Sequence, residues 1–105
     1  MNIRAGLLVG LGLMLVCGLA SSSPQEFSGR DLAQRLGCWA CHSLGGQGGA
    51  GATSLDGIGA RCSSRELAQM LSHPRQLRPK VKMPSYAYLR PQEQQALIEF
   101  LLSLK

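Results

Sequence analysis

Cys38-Trp39-Ala40-Cys41-His42 is the stretch from which the rest of the chain can be read. Two thiols three residues apart, followed at once by an imidazole, match the C-x-x-C-H pattern of covalent haem attachment. The spacing has a physical reason. It places both sulfurs where they can add to the two vinyl groups of one porphyrin, and the next residue's imidazole then reaches the iron from the same side. Paired cysteines serve three other chemistries: a disulfide, half of a zinc site, and a thioredoxin-like redox pair. A redox pair calls for a strand–helix–strand setting, and zinc for a second Cys or His pair at close spacing. Neither pattern is in the sequence. One covalent haem c is therefore expected on Cys38 and Cys41, with His42 on the iron.

A haem iron has a second axial position, and what fills it separates electron transfer from ligand chemistry. The candidates are Met70, His73 and Met83. Met70 falls on the apolar face of a predicted helix, where a methionine is ordinarily core filling. His73 precedes Pro74 at a predicted helix end, a place for a capping or solvated imidazole. Met83 lies in Lys82-Met83-Pro84-Ser85-Tyr86, and Pro84 holds it in extended backbone and stiffens its approach. Met83 is the expected sixth ligand, its thioether raising the potential.

Outward from the motif, the sequence reads as helices joined by loops. Ser28 caps a helix over Gly29 to about Gly37, with Asp31 placed to return the capping bond and oppose the helix dipole. Glycines 45, 46, 48, 49, 51, 57 and 59 crowd the next stretch. Leu55 and Ile58 within it favour an ordered loop passing close to something flat and bulky over a free linker. Ser63 and Glu66 form a second capping box, followed by Leu67, Met70 and Leu71 on one face. Pro74 is expected to end that helix, leaving residues 75–89 extended around Pro79 and Pro84. Pro91 opens a last helix whose apolar face carries Leu97, Ile98, Leu101, Leu102 and Leu104, with Arg90 as a poor cap. No strand is expected.

The start of the chain has the layout of an export signal. Arg4 precedes an apolar run over residues 5–20, and Gly18 and Ala20 precede Ser21-Ser22-Ser23-Pro24. The run is short for a comfortable membrane span. Three fates are open: cleavage near Ala20, retention as an anchor through residues 5–20, and lipid attachment at Cys17. Each puts the remainder in the periplasm or on the outer face of the inner membrane. Residues 1–20 are thus a signal or anchor, 21–27 a short linker, and 28–105 one domain. Setting Arg4 aside leaves ten Lys and Arg against six Asp and Glu. That balance favours acidic partners or anionic surfaces, and no aromatic–basic pattern suggests nucleic acid. A domain this small with few aromatics builds a thin core, which a large apolar cofactor would complete.

Taken together, these pieces resemble the class I cytochrome c family, in its small bacterial members. The resemblance covers Phe27 to Lys105 and follows the family order: Gly29-x-x-Leu32, Gly37-Cys38-x-x-Cys41-His42, Leu55-Asp56-Gly57-Ile58-Gly59-Ala60-Arg61, Leu71-x-x-Pro74, Met83-Pro84-Ser85-Tyr86 and Phe100-Leu101. It implies an all-α fold wrapped around one haem, with the first and last helices crossing at Gly29, Leu32 and Phe100. It also implies His42 and Met83 as axial ligands. One position departs from the pattern. Where the family usually has a proline whose carbonyl accepts from the proximal imidazole, this chain has Thr53. A backbone carbonyl is still available there, so Thr53 is expected to orient His42. The stiffness of proline is lost.

The expected function is one-electron transfer between redox proteins, with no small-molecule substrate and no catalytic acid or base. A fixed relay subunit of a membrane respiratory complex would use the same chemistry in one place. A five-coordinate haem sensor or peroxidase-like enzyme would follow if Met83 did not ligate. Arg75, Arg78, Lys80 and Lys82 precede Met83 and are expected to steer an acidic partner. Cys62 has no partner in the pattern and is expected to be a small buried hydrophobe, with intermolecular pairing as the alternative. Trp39 is expected to point away from the haem, as an exposed contact or packed on its edge.

Overall fold

The computed structural model describes residues 28–105 continuously, with Gly10, Gly12 and Gly18 as isolated positions. The expectations for residues 1–20, the 21–27 linker, Cys17 and Phe27 lie outside the described residues. Among the described residues, no helix is long and apolar enough to cross a membrane.

Six helical segments and one very short hairpin follow in the order α1 (Gly29–Leu36), α2 (Cys38–Cys41), β1 (Ser43–Leu44), β2 (Gln47–Gly48), α3 (Ile58–Arg61), α4 (Ser64–Ser72), α5 (Pro74–Leu77) and α6 (Pro91–Ser103). The last helix is the hub. Helices α1, α3 and α4 all pack on it, and it buries Leu97, Ile98 and Leu101 against them. Leu97 has no exposed surface at all. Truncating so enclosed a leucine to alanine typically costs about 2–5 kcal/mol.

The crossing of α1 and α6 depends on an absent side chain. A Cβ on Gly29 would stand 2.1 Å from the Ala96 carbonyl oxygen and 2.6 Å from Phe100 Cβ. Only a glycine lets the two backbones come this close. Leu32 and Ala33, one turn on, are buried beside the contact. The glycine and phenylalanine implied by the family resemblance therefore do meet on these two helices, with the leucine buried in the core beside them.

Caps set the helix boundaries. Ser63 and Glu66 exchange both bonds of a capping box at the start of α4, at 3.1 and 2.7 Å. At α1 only half the box forms: the Asp31 amide donates to Ser28 Oγ at 3.4 Å. Asp31 is one methylene shorter than a glutamate and returns no bond. Arg90 gives α6 no side-chain cap; its guanidinium pairs with Glu93 instead.

Three local features differ from expectation. Pro74 does not simply end a helix. His73 closes α4, and Pro74 then takes the first position of α5, where its missing N–H would have had no partner. The segment expected to be extended from residue 75 thus begins with a helical turn. Ser43–Leu44 pairs antiparallel with Gln47–Gly48 across the two-residue turn Gly45-Gly46. Both turn residues have positive φ, 60° and 78°, as a type I′ hairpin turn requires. Four residues at α3 close a helical turn between Gly57 and Cys62.

Candidate functional site

The attachment motif forms its own element. Cys38 to Cys41 make the single turn α2, closed by the His42 amide donating to the Cys38 carbonyl at 2.9 Å. His42 then leaves the helix in extended backbone, φ −97° and ψ 148°. Its imidazole meets the Gly-rich loop, with Nδ1 2.6 Å from the Thr53 carbonyl oxygen. A carbonyl only accepts, so Nδ1 carries the proton and Nε2 keeps a lone pair for a metal. The same bond makes that nitrogen a stronger electron-pair donor to a metal.

Thr53 is held in place without a proline. The loop runs alongside the motif as a ladder: Gly49 N–H donates to Trp39 O at 2.8 Å, Ala52 N–H to Cys41 O at 3.0 Å, and Leu55 N–H to Ser43 O at 2.8 Å. The Thr53 carbonyl falls between the last two rungs. Arg61 braces the far side, donating to the carbonyls of Ser54 at 3.2 Å and Asp56 at 2.6 Å. A Cβ on Gly49 would meet the Ala40 oxygen at 2.3 Å. Gly48 and Gly49 thus let the loop lie directly against the backbone of the motif. Nothing in the local sequence marks Arg61 as the brace; its role needs the loop's folded path.

His42 and Thr53 stand on the wall of a cavity of about 500 Å³, within the ~300–1,000 Å³ usual for cofactor sites. Leu55, Ile58, Leu67, Leu71 and Leu101 supply its apolar lining, and Met70, Met83 and Cys62 its sulfurs. His73 is exposed and not part of it. Two of the three proposed partners for an iron therefore share a cavity with His42, and the third does not. Two hydrogen bonds lay the Met83 segment beside α4: Tyr86 N–H to Leu71 O at 2.7 Å, and Ser85 Oγ–H to Ser72 O at 2.6 Å.

Cys38 lies one turn before His42 and is half-buried, and Cys41 directly precedes His42 and is exposed. Burial pushes the Cys38 thiol above its ordinary range, against a smaller lowering by a backbone hydrogen bond. Redox-active C-x-x-C thiols are tuned the other way. Among the described residues no three His, Cys, Asp or Glu side chains gather to hold a metal ion. An imidazole and thioethers lining one apolar space are donors of the kind that haem iron takes, and not the four-ligand set of structural zinc. Tyr86 lies near both thiols. Its burial first, then charge on Cys38, Tyr88 and Cys41, raises its phenol above the ordinary value.

Two residues sit differently from expectation. Cys62 is half-buried and lines the cavity, so it is not fully enclosed. Its place just after the short helix α3, which the sequence did not predict, turns it that way. Trp39 is no exposed contact. It rests on Phe100 with ring centres 6.3 Å apart, and the Arg30 guanidinium stands 5.7 Å from its ring centre. It therefore fastens the motif to the α1–α6 crossing. Arg75, Arg78, Lys80 and Lys82 are all exposed, with Arg78 on the cavity wall.

Comparison with known families assigns the domain. The cytochrome c family model matches residues 28–105, all of the continuous domain. The chain belongs to the cytochrome c family, whose members carry covalently bound haem c and are typically electron-transfer proteins. No curated protein matches the chain.

Proposed function

We propose that this chain is a monohaem c-type cytochrome that passes single electrons between exported or membrane-bound redox proteins. The observation that carries the reading is the bond from His42 Nδ1 to Thr53 O beside an apolar cavity that also holds Met83. Cys38 and Cys41 would hold the haem by thioether links, and His42 Nε2 and Met83 Sδ would ligate its iron. When bound, the haem supplies an iron that cycles between ferrous and ferric states.

The protein's own residues set how easily that happens. Thr53 fixes the imidazole plane and its tautomer. Leu55, Leu67, Leu71 and Leu101 keep water from the iron and lower the local dielectric. Met83 raises the potential and leaves no open coordination site, so no substrate is bound and no acid or base is needed. Residues 1–20 direct export, and residues 5–20 provide any membrane attachment. Arg75, Arg78, Lys80 and Lys82 bias the encounter toward acidic partners.

The test is the visible spectrum and intact mass of the purified protein. One covalent haem, a weak far-red band when oxidised and no ready uptake of carbon monoxide when reduced are expected. A protein without the band that takes up carbon monoxide readily would be five-coordinate, and the electron-carrier reading would give way to a sensor or peroxidase. The mass also reports removal of the leader and any lipid on Cys17.

A further inference from the structure

Two thioethers share the cavity with His42, and the proposed function uses one of them. Met83 and Met70 differ in how firmly the backbone holds them. Met83 lies in a segment anchored at Arg78 and again at Ser85 and Tyr86. Between those anchors the only backbone bond runs from Val81 N–H to Arg78 O, at 3.0 Å. Segments with so few bonds and exposed neighbours open locally at little cost. Met70 sits instead within α4, a capped helix whose flanking Leu67 and Leu71 are buried in the core. The two bonds from Tyr86 to Leu71 and from Ser85 to Ser72 tie the segment just after Met83 to the end of the helix that carries Met70, and both methionines line the cavity. Each methionine is half-buried, with Met83 packed against the edge of the core. Methionine's three rotatable bonds let it re-aim within a cavity at small cost.

We infer that Met70 is a reserve axial ligand, taking the sixth position when the Met83 segment opens. The inference rests on the proposed His42 and Met83 ligation. In the exchange the Met83 sulfur–iron bond breaks and a Met70 sulfur–iron bond forms. No proton moves and the iron keeps its oxidation state. The consequence is that loop opening leaves the haem six-coordinate, closed to peroxide and to gases, and still able to transfer electrons. Cys62 is a weaker candidate for the same position, because a thiol must first lose a proton and a thioether need not.

The test uses the haem-loaded protein and its Met83→Leu, Met70→Leu and doubly substituted variants, with haem content and helicity checked for each. Wild type and Met70→Leu are expected to show the same far-red thioether band. Met83→Leu keeps a band, weaker or shifted, and the double variant has none and binds carbon monoxide readily. Loss of the band from Met83→Leu, as complete as in the double variant, would overturn the inference. So would its loss from Met70→Leu alone. A wild-type protein lacking the band would instead defeat the ligation reading itself.

A second measurement avoids variants at Met83. On titrating wild type with guanidinium, the band and the helical signal should disappear together. In Met70→Leu the band should go at lower denaturant, before the helices. Equal separation of the two transitions in both proteins would also overturn the inference.

Discussion

His42 and Thr53 are joined by a 2.6 Å hydrogen bond whose acceptor is a backbone carbonyl with no proline ring to stiffen it. Stiffness comes from the neighbours. The Ala52 and Leu55 amides are each tied to the attachment motif, and Arg61 holds the Ser54 and Asp56 carbonyls. Fixing a ligand through its second hydrogen bond depends on where the acceptor is held and not on its side chain.

Changes at Thr53 itself should therefore be mild. Thr53→Ala is expected to leave the reduction potential unchanged, because the carbonyl stays. Thr53→Pro should stabilise the protein by about 0.4–1 kcal/mol by restricting the unfolded chain. Guanidinium unfolding of the haem-loaded protein measures this. Marked destabilisation by proline would mean that the ladder alone does not give the carbonyl its position.

Arg61→Ala removes the brace from outside the motif. It should lower stability by about 1 kcal/mol, a discounted value since the guanidinium is exposed. It should also lower the potential as His42 loses its fixed orientation. Voltammetry is the direct readout, and a potential equal to wild type would separate Arg61 from the site.

Gly29→Ala tests the helix crossing. Its methyl would need space now filled by the Ala96 carbonyl and Phe100 Cβ. Overpacking of this kind costs about 1–3 kcal/mol, more than alanine gains in helix propensity at a first turn. A lower thermal midpoint is expected, and an unchanged one would show that α1 and α6 can separate freely.

Tyr86 gives the alkaline limb of stability. Burial holds its phenol above the ordinary value, and nearby charge adds to this. The folded state thus favours the neutral form. That contribution is complete below the unfolded value of about 10 and is lost as pH rises through the higher folded value. Tyr86→Phe should flatten the fall in denaturant midpoint above pH about 10. Thioether formation removes the charges of Cys38 and Cys41, so the haem-loaded protein should show a smaller effect than the haem-free chain.

Reversing Arg78 and Lys80 to Glu should slow oxidation by a small anionic oxidant about tenfold at low salt, with the difference shrinking as salt rises. Stopped-flow rates across a salt series test this. Equal salt slopes in variant and parent would remove the basic cluster from partner steering.

Much of this architecture was legible because it is written in short-range chemistry. Ser28, Ser63 and Pro91 mark helix starts within a residue, since a cap or a missing amide acts locally. Helices α3 and α5 escaped because four residues make one turn and show no periodicity. The hairpin escaped for a similar reason, with two residues a side. At the site, C-x-x-C-H was plain from spacing alone. Thr53 was visible only through resemblance to a family, because a carbonyl acceptor leaves no trace in residue type. Met70 was read correctly as an apolar-face residue, but a helix face does not say whether it meets core or cavity. Arg61 closes a stretch that fits the family order, but its bracing role leaves no mark there, since its partners are backbone atoms brought near by the loop.

The contact between Gly29 and Ala96 joins nearly the two ends of the described domain. Chains are made from the N-terminus onward. Cys38, Cys41 and His42 therefore exist well before α6, the helix on which α1, α3 and α4 pack. Until Pro91 to Ser103 has been made, Trp39 has no Phe100 to rest on, and the thiols stand on an unclosed chain. A chain whose last helix docks late would let a large planar group approach both sulfurs first, and that helix would then shut behind it.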